Sequence, residues 1–111
     1  MNNQQKQPFR WAILGCGSIA ERFAAAVNEL PDAALTAVGS RSADKAAVFG
    51  TRFGAEHSYG SYEAAANDPE VDAVYVATPH PMHAKLNLLG LNAGKAVLCE
   101  KPFTVNAAEL E

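Results

Sequence analysis

The feature that most constrains this 111-residue chain is a glycine turn, Gly15-Cys16-Gly17-Ser18-Ile19-Ala20, set between an apolar run and a stretch of helical periodicity. Gly15 permits a tight turn, Gly17 leaves the backbone open to an approaching anion, and Ala20 is small enough for a helix to pack closely on a strand. The first N–H groups of such a helix have no acceptor within it and can face a diphosphate. A glycine-rich turn also serves simply to reverse a chain. The surroundings therefore decide between the two readings.

Strand-like runs alternate with helical patterns along the chain, the mark of βαβ units around a parallel sheet. Phe9 to Leu14 predicts the first strand. Ile19, Phe23, Val27 and Leu30 share one face of a helix that Pro31 and Asp32 end. Leu35 to Gly39 reads as the second strand. Ser42 then caps a helix burying Ala46, Phe49 and Phe53, stopped by Gly54. His57 to Tyr59 is a short strand, Ser61 caps a brief helix through Ala66, and Asn67-Asp68-Pro69 turns the chain. Ala73 to Ala77 carries no charge, as suits a strand covered on both faces. A helix from Met82 to Ala93 buries Leu86, Leu89 and Ala93 and closes at Gly94, and Lys95 to Cys99 is the fifth strand. Asn106 and Glu109 have the spacing of a further helix cap, so the sequence reads as ending at Glu111 just as an element begins. The expected fold is α/β, a doubly wound parallel sheet over residues 9–111, incomplete at its C-terminal end, preceded by a disordered polar tail over residues 1–8.

Apolar residues make up 49% of the chain and charged ones 19%, an ordinary globular balance. The net charge of −3 and the lack of a Lys/Arg cluster argue against nucleic acid or an anionic membrane as partner. No run resembles a signal peptide or approaches the ~20 apolar residues of a membrane span. Cys16 and Cys99 lie far apart in strand-like surroundings without metal-ligand spacing. A reduced, cytoplasmic protein without a metal site is the simplest reading.

Sites that prefer NAD place an Asp or Glu at the end of the second strand, where it accepts from the ribose hydroxyls. Here Ser40-Arg41 stands at that point. The guanidinium fork of Arg41 suits the 2′-phosphate of NADP, and Lys45 lies one helical turn further on. Against a purely solvated role, cations at a helix N-terminus oppose its dipole. The missing carboxylate also weighs against a methyltransferase, a class that uses an acidic residue there for S-adenosylmethionine. Two more segments stand at strand ends where ligands gather in doubly wound sheets: Ala77-Thr78-Pro79-His80-Pro81-Met82-His83 and Glu100-Lys101-Pro102. Their prolines stiffen the loops and suit a wall for a flat ring. Taken alone, Lys101 reads as a surface lysine and His83 as a solvent-facing helix residue.

Taken together, the glycine turn, Ser-Arg after the second strand, Ala-Thr-Pro with a downstream His after the fourth and Glu-Lys-Pro after the fifth resemble the Gfo/Idh/MocA oxidoreductase family. The similarity runs from Phe9 to the last residue and looks most like the NADP-linked dihydrodiol and aldose dehydrogenase branch. It implies a Rossmann domain that binds NADP, with NAD as the other option, in a homo-oligomeric enzyme moving a hydride to or from a sugar, cyclitol or diol. By this resemblance Gly15, Gly17, Ser18, Ile19 and Ala20 hold the pyrophosphate, while Ser40, Arg41 and Lys45 meet the adenosine ribose and its 2′-phosphate. Thr78, Pro79 and His83 line the path to the nicotinamide. Glu100 and Lys101 sit at the nicotinamide ribose and reacting centre, with Lys101 catalytic and its bond to Pro102 expected cis. The last helix and strand of the family's nucleotide domain and its whole second domain have no counterpart here, so turnover by these residues alone is not expected. Two other readings stay open: a binding or redox-sensing module without turnover, and a truncated domain that associates through its open sheet edge.

Overall fold

The computed structural model describes residues 8–78 and 83–99. The expectations for the polar tail, Pro79, Glu100, Lys101, the Lys101-Pro102 bond and a helix after Asn106 lie outside the described residues. Five strands and four helices alternate: β1 Phe9–Leu14, α1 Ser18–Asn28, β2 Ala33–Gly39, α2 Ala43–Phe53, β3 His57–Tyr59, α3 Tyr62–Ala66, β4 Ala73–Val76, α4 His83–Asn92 and β5 Ala96–Cys99. They form a single parallel sheet in the order β3-β2-β1-β4-β5. The chain thus builds outward from β1 in one direction and then crosses over to build in the other.

The crossover sorts the helices between the two faces. On one face, Ala20, Ala24 and Val27 of α1 and Ala46 and Phe49 of α2 pack against Ile13, Leu35, Val38 and Tyr75. On the other, Ala65 and Ala66 of α3 and Leu86 of α4 pack against Ala12, Leu14, Ala37, Val74 and Val76. β4 is buried along its whole length, as its uncharged sequence predicts for a strand covered on both sides. β2 carries an irregularity: Trp11 pairs with Leu35 and Ala12 with Ala37, so Thr36 is the extra residue of a bulge. One inserted residue inverts the in-out alternation. Leu35 and Val38 consequently reach the same core although they are three residues apart.

The inward face of α1 differs from the sequence expectation. Val27 is buried and Phe23 partly so, but Ile19 is 43% exposed, and α1 ends at Asn28, short of Leu30, which is 52% exposed. The contact is made instead by Ala20 and Ala24, fully buried, because small side chains let the helix lie close on the sheet. Phe23 stacks on Tyr75 with ring centroids 3.8 Å apart, and Trp11 meets Phe23 edge-on at 5.0 Å. The other helix boundaries agree with their sequence signals. Ser42 Oγ accepts from Lys45 N–H and Ser61 Oγ from Ala64 N–H, each bond worth about 1 kcal/mol as a cap, and Gly54 ends α2 at φ 80°. At the opposite end of the sheet from the glycine turn, Lys95 donates to the Val71 carbonyl at 2.7 Å and Arg10 pairs with Asp72 at 3.2 Å, and Tyr59, from the carboxyl end of β3, donates to Asp68 at 2.8 Å.

Candidate functional site

The carboxyl ends of β1 and β4 lie side by side where the sheet order reverses, the position at which open α/β sheets hold their ligands. Gly15 occupies this point with φ 117°, donating its N–H to the Gly39 carbonyl at 2.8 Å. A Cβ there would stand 2.8 Å from the Ala77 oxygen and 3.2 Å from the Thr78 methyl. Both the backbone angle and the contact demand glycine. Gly17 differs: its φ is −85°, it is the N-cap of α1, and a Cβ on it would meet nothing within 4 Å. Its hydrogen therefore faces open space rather than protein.

α1 begins without a side-chain cap at Gly17, whereas α2 and α3 each begin at a capping serine. The first bond into the helix runs from Glu21 N–H to the Gly17 carbonyl. The N–H groups of Ser18, Ile19 and Ala20 thus have no acceptor within α1. Their donors and the helix dipole together make an electropositive end suited to an anion.

Beside this turn opens a cleft of about 610 Å³ lined by Cys16, Gly17, Ser40, Arg41, Ser42, Lys45 and Tyr62. It brings together the glycine turn and the three residues expected to meet the ribose and its phosphate. Ser40 is buried, its Oγ accepts from the Ser42 N–H at 3.1 Å, and its hydroxyl also bonds the neighbouring Cys16 thiol. Arg41 and Lys45 are exposed. Among the described residues neither joins an ion pair with a carboxylate, and no described lining residue of the cleft is acidic. Burial raises the Cys16 thiol above its ordinary pKa, outweighing the Ser40 hydrogen bond and the nearby Lys45 charge that lower it. A protonated thiol brings no negative charge to oppose an entering phosphate.

Of the remaining candidates, Thr78 is buried beside Gly15, Ile19 is exposed at the start of α1, and His83 is the first residue of α4. Three residues of the cleft were not anticipated as site residues: Cys16, Tyr62 and Ser42, the last expected only as the cap of α2. Cys16 occupies a variable place in the glycine motif. Tyr62 belongs to a five-residue helix whose first position carries no sequence signal of a site. Cys16 also lies in the turn after β1 rather than in the strand surroundings expected for it.

A parallel sheet with a glycine turn at its reversal point and an uncapped helix start beside a basic cleft defines a nucleotide-binding α/β domain of the dehydrogenase type. The family model described as "Oxidoreductase family, NAD-binding Rossmann fold" matches residues 9–111, and the chain belongs to that family, Gfo/Idh/MocA. It is 47% identical over 103 residues to mouse trans-1,2-dihydrobenzene-1,2-diol dehydrogenase, covering 91% of this chain and 31% of that protein. The human enzyme of the same name is 44% identical over 103 residues with the same coverage. Among solved structures, a 3-ketoreductase from Actinomadura kijaniata in complex with NADP superposes with a TM-score of 0.81 at 42% identity, over 86% of this chain and 31% of that one. A biliverdin reductase from Synechocystis, in complex with biliverdin and NADP+, gives 0.77 at 33% identity, over 86% and 30%. The chain thus spans about a third of the length of the relatives it matches.

Proposed function

We propose that this chain is the coenzyme-holding domain of an NADP-preferring oxidoreductase acting on the hydroxyl or carbonyl carbon of a diol, sugar or cyclitol. The observation that carries the preference is the cleft after β2, with Arg41 and Lys45 unpaired among the described residues and no carboxylate in its described lining. A 2′-phosphate answers that charge; a plain ribose hydroxyl does not. The donor set fits the whole adenosine end: main-chain N–H groups of Ser18, Ile19 and Ala20 for the diphosphate, the Ser40 hydroxyl and the two cations for the ribose phosphate. When bound, the coenzyme supplies the hydride acceptor or donor. The chain's own part is to fix and orient it, with Thr78, Pro79 and His83 along its path and Glu100 at the nicotinamide ribose. Lys101 holds the substrate oxygen by hydrogen bond and moves its proton. The relatives named for dihydrobenzenediol oxidation and for ketone reduction support a small polyol or ketone as substrate. No nucleic-acid or membrane partner belongs to this reading; a cytoplasmic homo-oligomer does. No helix among the described residues is long and apolar enough to cross a membrane.

Calorimetric titration of the chain with NADP and NAD tests the assignment. NADP should bind more tightly, and Arg41→Ala should weaken NADP about 10- to 100-fold, the range for a charge-assisted phosphate contact, while leaving NAD nearly unchanged. Equal curves for the two coenzymes would reject the preference. Mixed with NADP and a range of polyols, the 111-residue chain should show no oxidation above background, and robust turnover would show the reacting centre to be misplaced.

A further inference from the structure

The edge strand β3 begins at a cluster of ligand-type side chains that the coenzyme reading does not use. His57 Nε2 lies 3.4 Å from Glu70 Oε1 and 4.0 Å from Glu56 Oε1, and one ligand atom from each of the three falls within 4.8 Å of the others. Glu70 is set there by the turn before β4, where its N–H donates to the buried Asp68 carboxylate at 2.7 Å. Asp68 brings a further negative charge, its Oδ2 3.9 Å from the same ring nitrogen, although that oxygen already accepts from Tyr59. Among the described residues no Lys or Arg forms an ion pair with Glu56, Asp68 or Glu70.

Pairing within the cluster leaves it unbalanced. A ring nitrogen holds one proton and can satisfy one carboxylate, whereas carboxylates approach this one from three residues. Glu56 and Glu70 are exposed and sit on separate segments, so each could turn to water instead. A divalent cation removes the mismatch: it binds imidazole nitrogen and carboxylate oxygen at about 2.0–2.2 Å, which sets donors about 3.3–3.6 Å apart around a tetrahedral ion. His57 and Glu70 already have that separation at 3.4 Å, and Glu56 at 4.0 Å is within a side-chain rotation of it. An imidazole among carboxylates suits zinc, while magnesium and calcium prefer oxygen alone.

We propose that Glu56, His57 and Glu70 form a zinc site, with Asp68 behind them to position Glu70 and add negative charge. The ion joins the start of β3 to the turn before β4, and so holds an edge strand whose three residues pair with β2 alone. No cysteine takes part, which is why the spacing of Cys16 and Cys99 gave no sign of it. The site shares no residue with the lining of the basic cleft, so it stands or falls independently of the coenzyme reading.

The test titrates the chelator-treated 111-residue chain calorimetrically with the chlorides of zinc, calcium and magnesium, and follows the histidine rings by NMR. Zinc should shift the His57 ring signals, and calcium and magnesium should bind at least about 10-fold more weakly. His57→Gln and Glu70→Gln should each weaken zinc about 10-fold or more, since even the outer partners of a metal ligand are worth about that much. Zinc should raise the thermal unfolding midpoint of the unmodified chain and leave that of His57→Gln unmoved. No zinc binding by the folded chain would overturn the site, as would calcium or magnesium binding as tightly as zinc. Zinc that moves the rings of His80 and His83 but not that of His57 would overturn it equally. The NMR arm uses no variant, so a substitution that failed to fold would not shelter the proposal.

Discussion

Gly15 and Gly17 are the same residue type two positions apart, and the structure uses them for different ends. Gly15 has φ 117° and no room for a methyl group against the Ala77 carbonyl, so Gly15→Ala should destabilise the chain by about 1–3 kcal/mol or more. Gly17 has an ordinary φ and empty space where a Cβ would go, so Gly17→Ala should cost less than about 1 kcal/mol, mostly through the poorer N-cap. Its effect should fall instead on ligand affinity, since the methyl group would enter the space offered to the diphosphate. Urea unfolding and coenzyme titration of both variants separate the two roles; equal stability losses would contradict the geometry. At this scale much of the site could be read from the sequence, because a glycine motif and an Ser-Arg pair after a strand are local patterns. Tyr62 could not, because its importance arises from where a five-residue helix lands and not from any spacing along the chain.

The elements show which sequence signals survive packing. Ser42, Ser61 and Gly54 mark helix ends through bonds made within a few residues, and each stands where its local chemistry places it. The face of α1 was less legible: Ile19 outranks alanine in hydrophobicity, but a close helix-on-sheet contact selects Ala20 and Ala24 for size, and the helix ends at Asn28 before Leu30 can join it. The bulge at Thr36 had no signal, since it depends on the register of β1 against β2. The tie between β3 and the turn before β4 was likewise hidden, and it makes a prediction about pH. Burial and the hydrogen bond to Asp68 raise the Tyr59 hydroxyl from 10.0 to about 12. The folded state holds this proton more tightly than the unfolded state, so the resulting stability is present below pH 10 and is lost as pH rises from there through about 12. One tyrosine should therefore titrate late in phenolate absorbance, and Tyr59→Phe should flatten the alkaline loss of stability. An unchanged alkaline profile in that variant would show that the bond to Asp68 does not control it.

Across the whole molecule, the two helical layers share a single sheet only one strand thick, so neither core can loosen without the other. Leu14 is fully buried on the α3/α4 side, while Trp11, the single tryptophan, packs on the α1/α2 side. Leu14→Ala should cost about 2–5 kcal/mol, and the unfolding midpoint should fall equally in Trp11 fluorescence and in circular dichroism. Separate midpoints would mean that the layers melt independently. The alternation of strands and helices made the α/β class and the parallel sheet legible in advance. The side-by-side placement of β1 and β4, which creates the ligand crevice, comes from which strands pair, and pairing is decided far along the chain.

α1 opens with no side chain to close its first turn, which makes the visiting anion a structural part as well as a cargo. A ligand present at about 100 times its dissociation constant adds about 2.7 kcal/mol to the folded state by mass action alone. Saturating coenzyme should therefore raise the unfolding midpoint of this domain, a ballast that vanishes when the ligand is withdrawn.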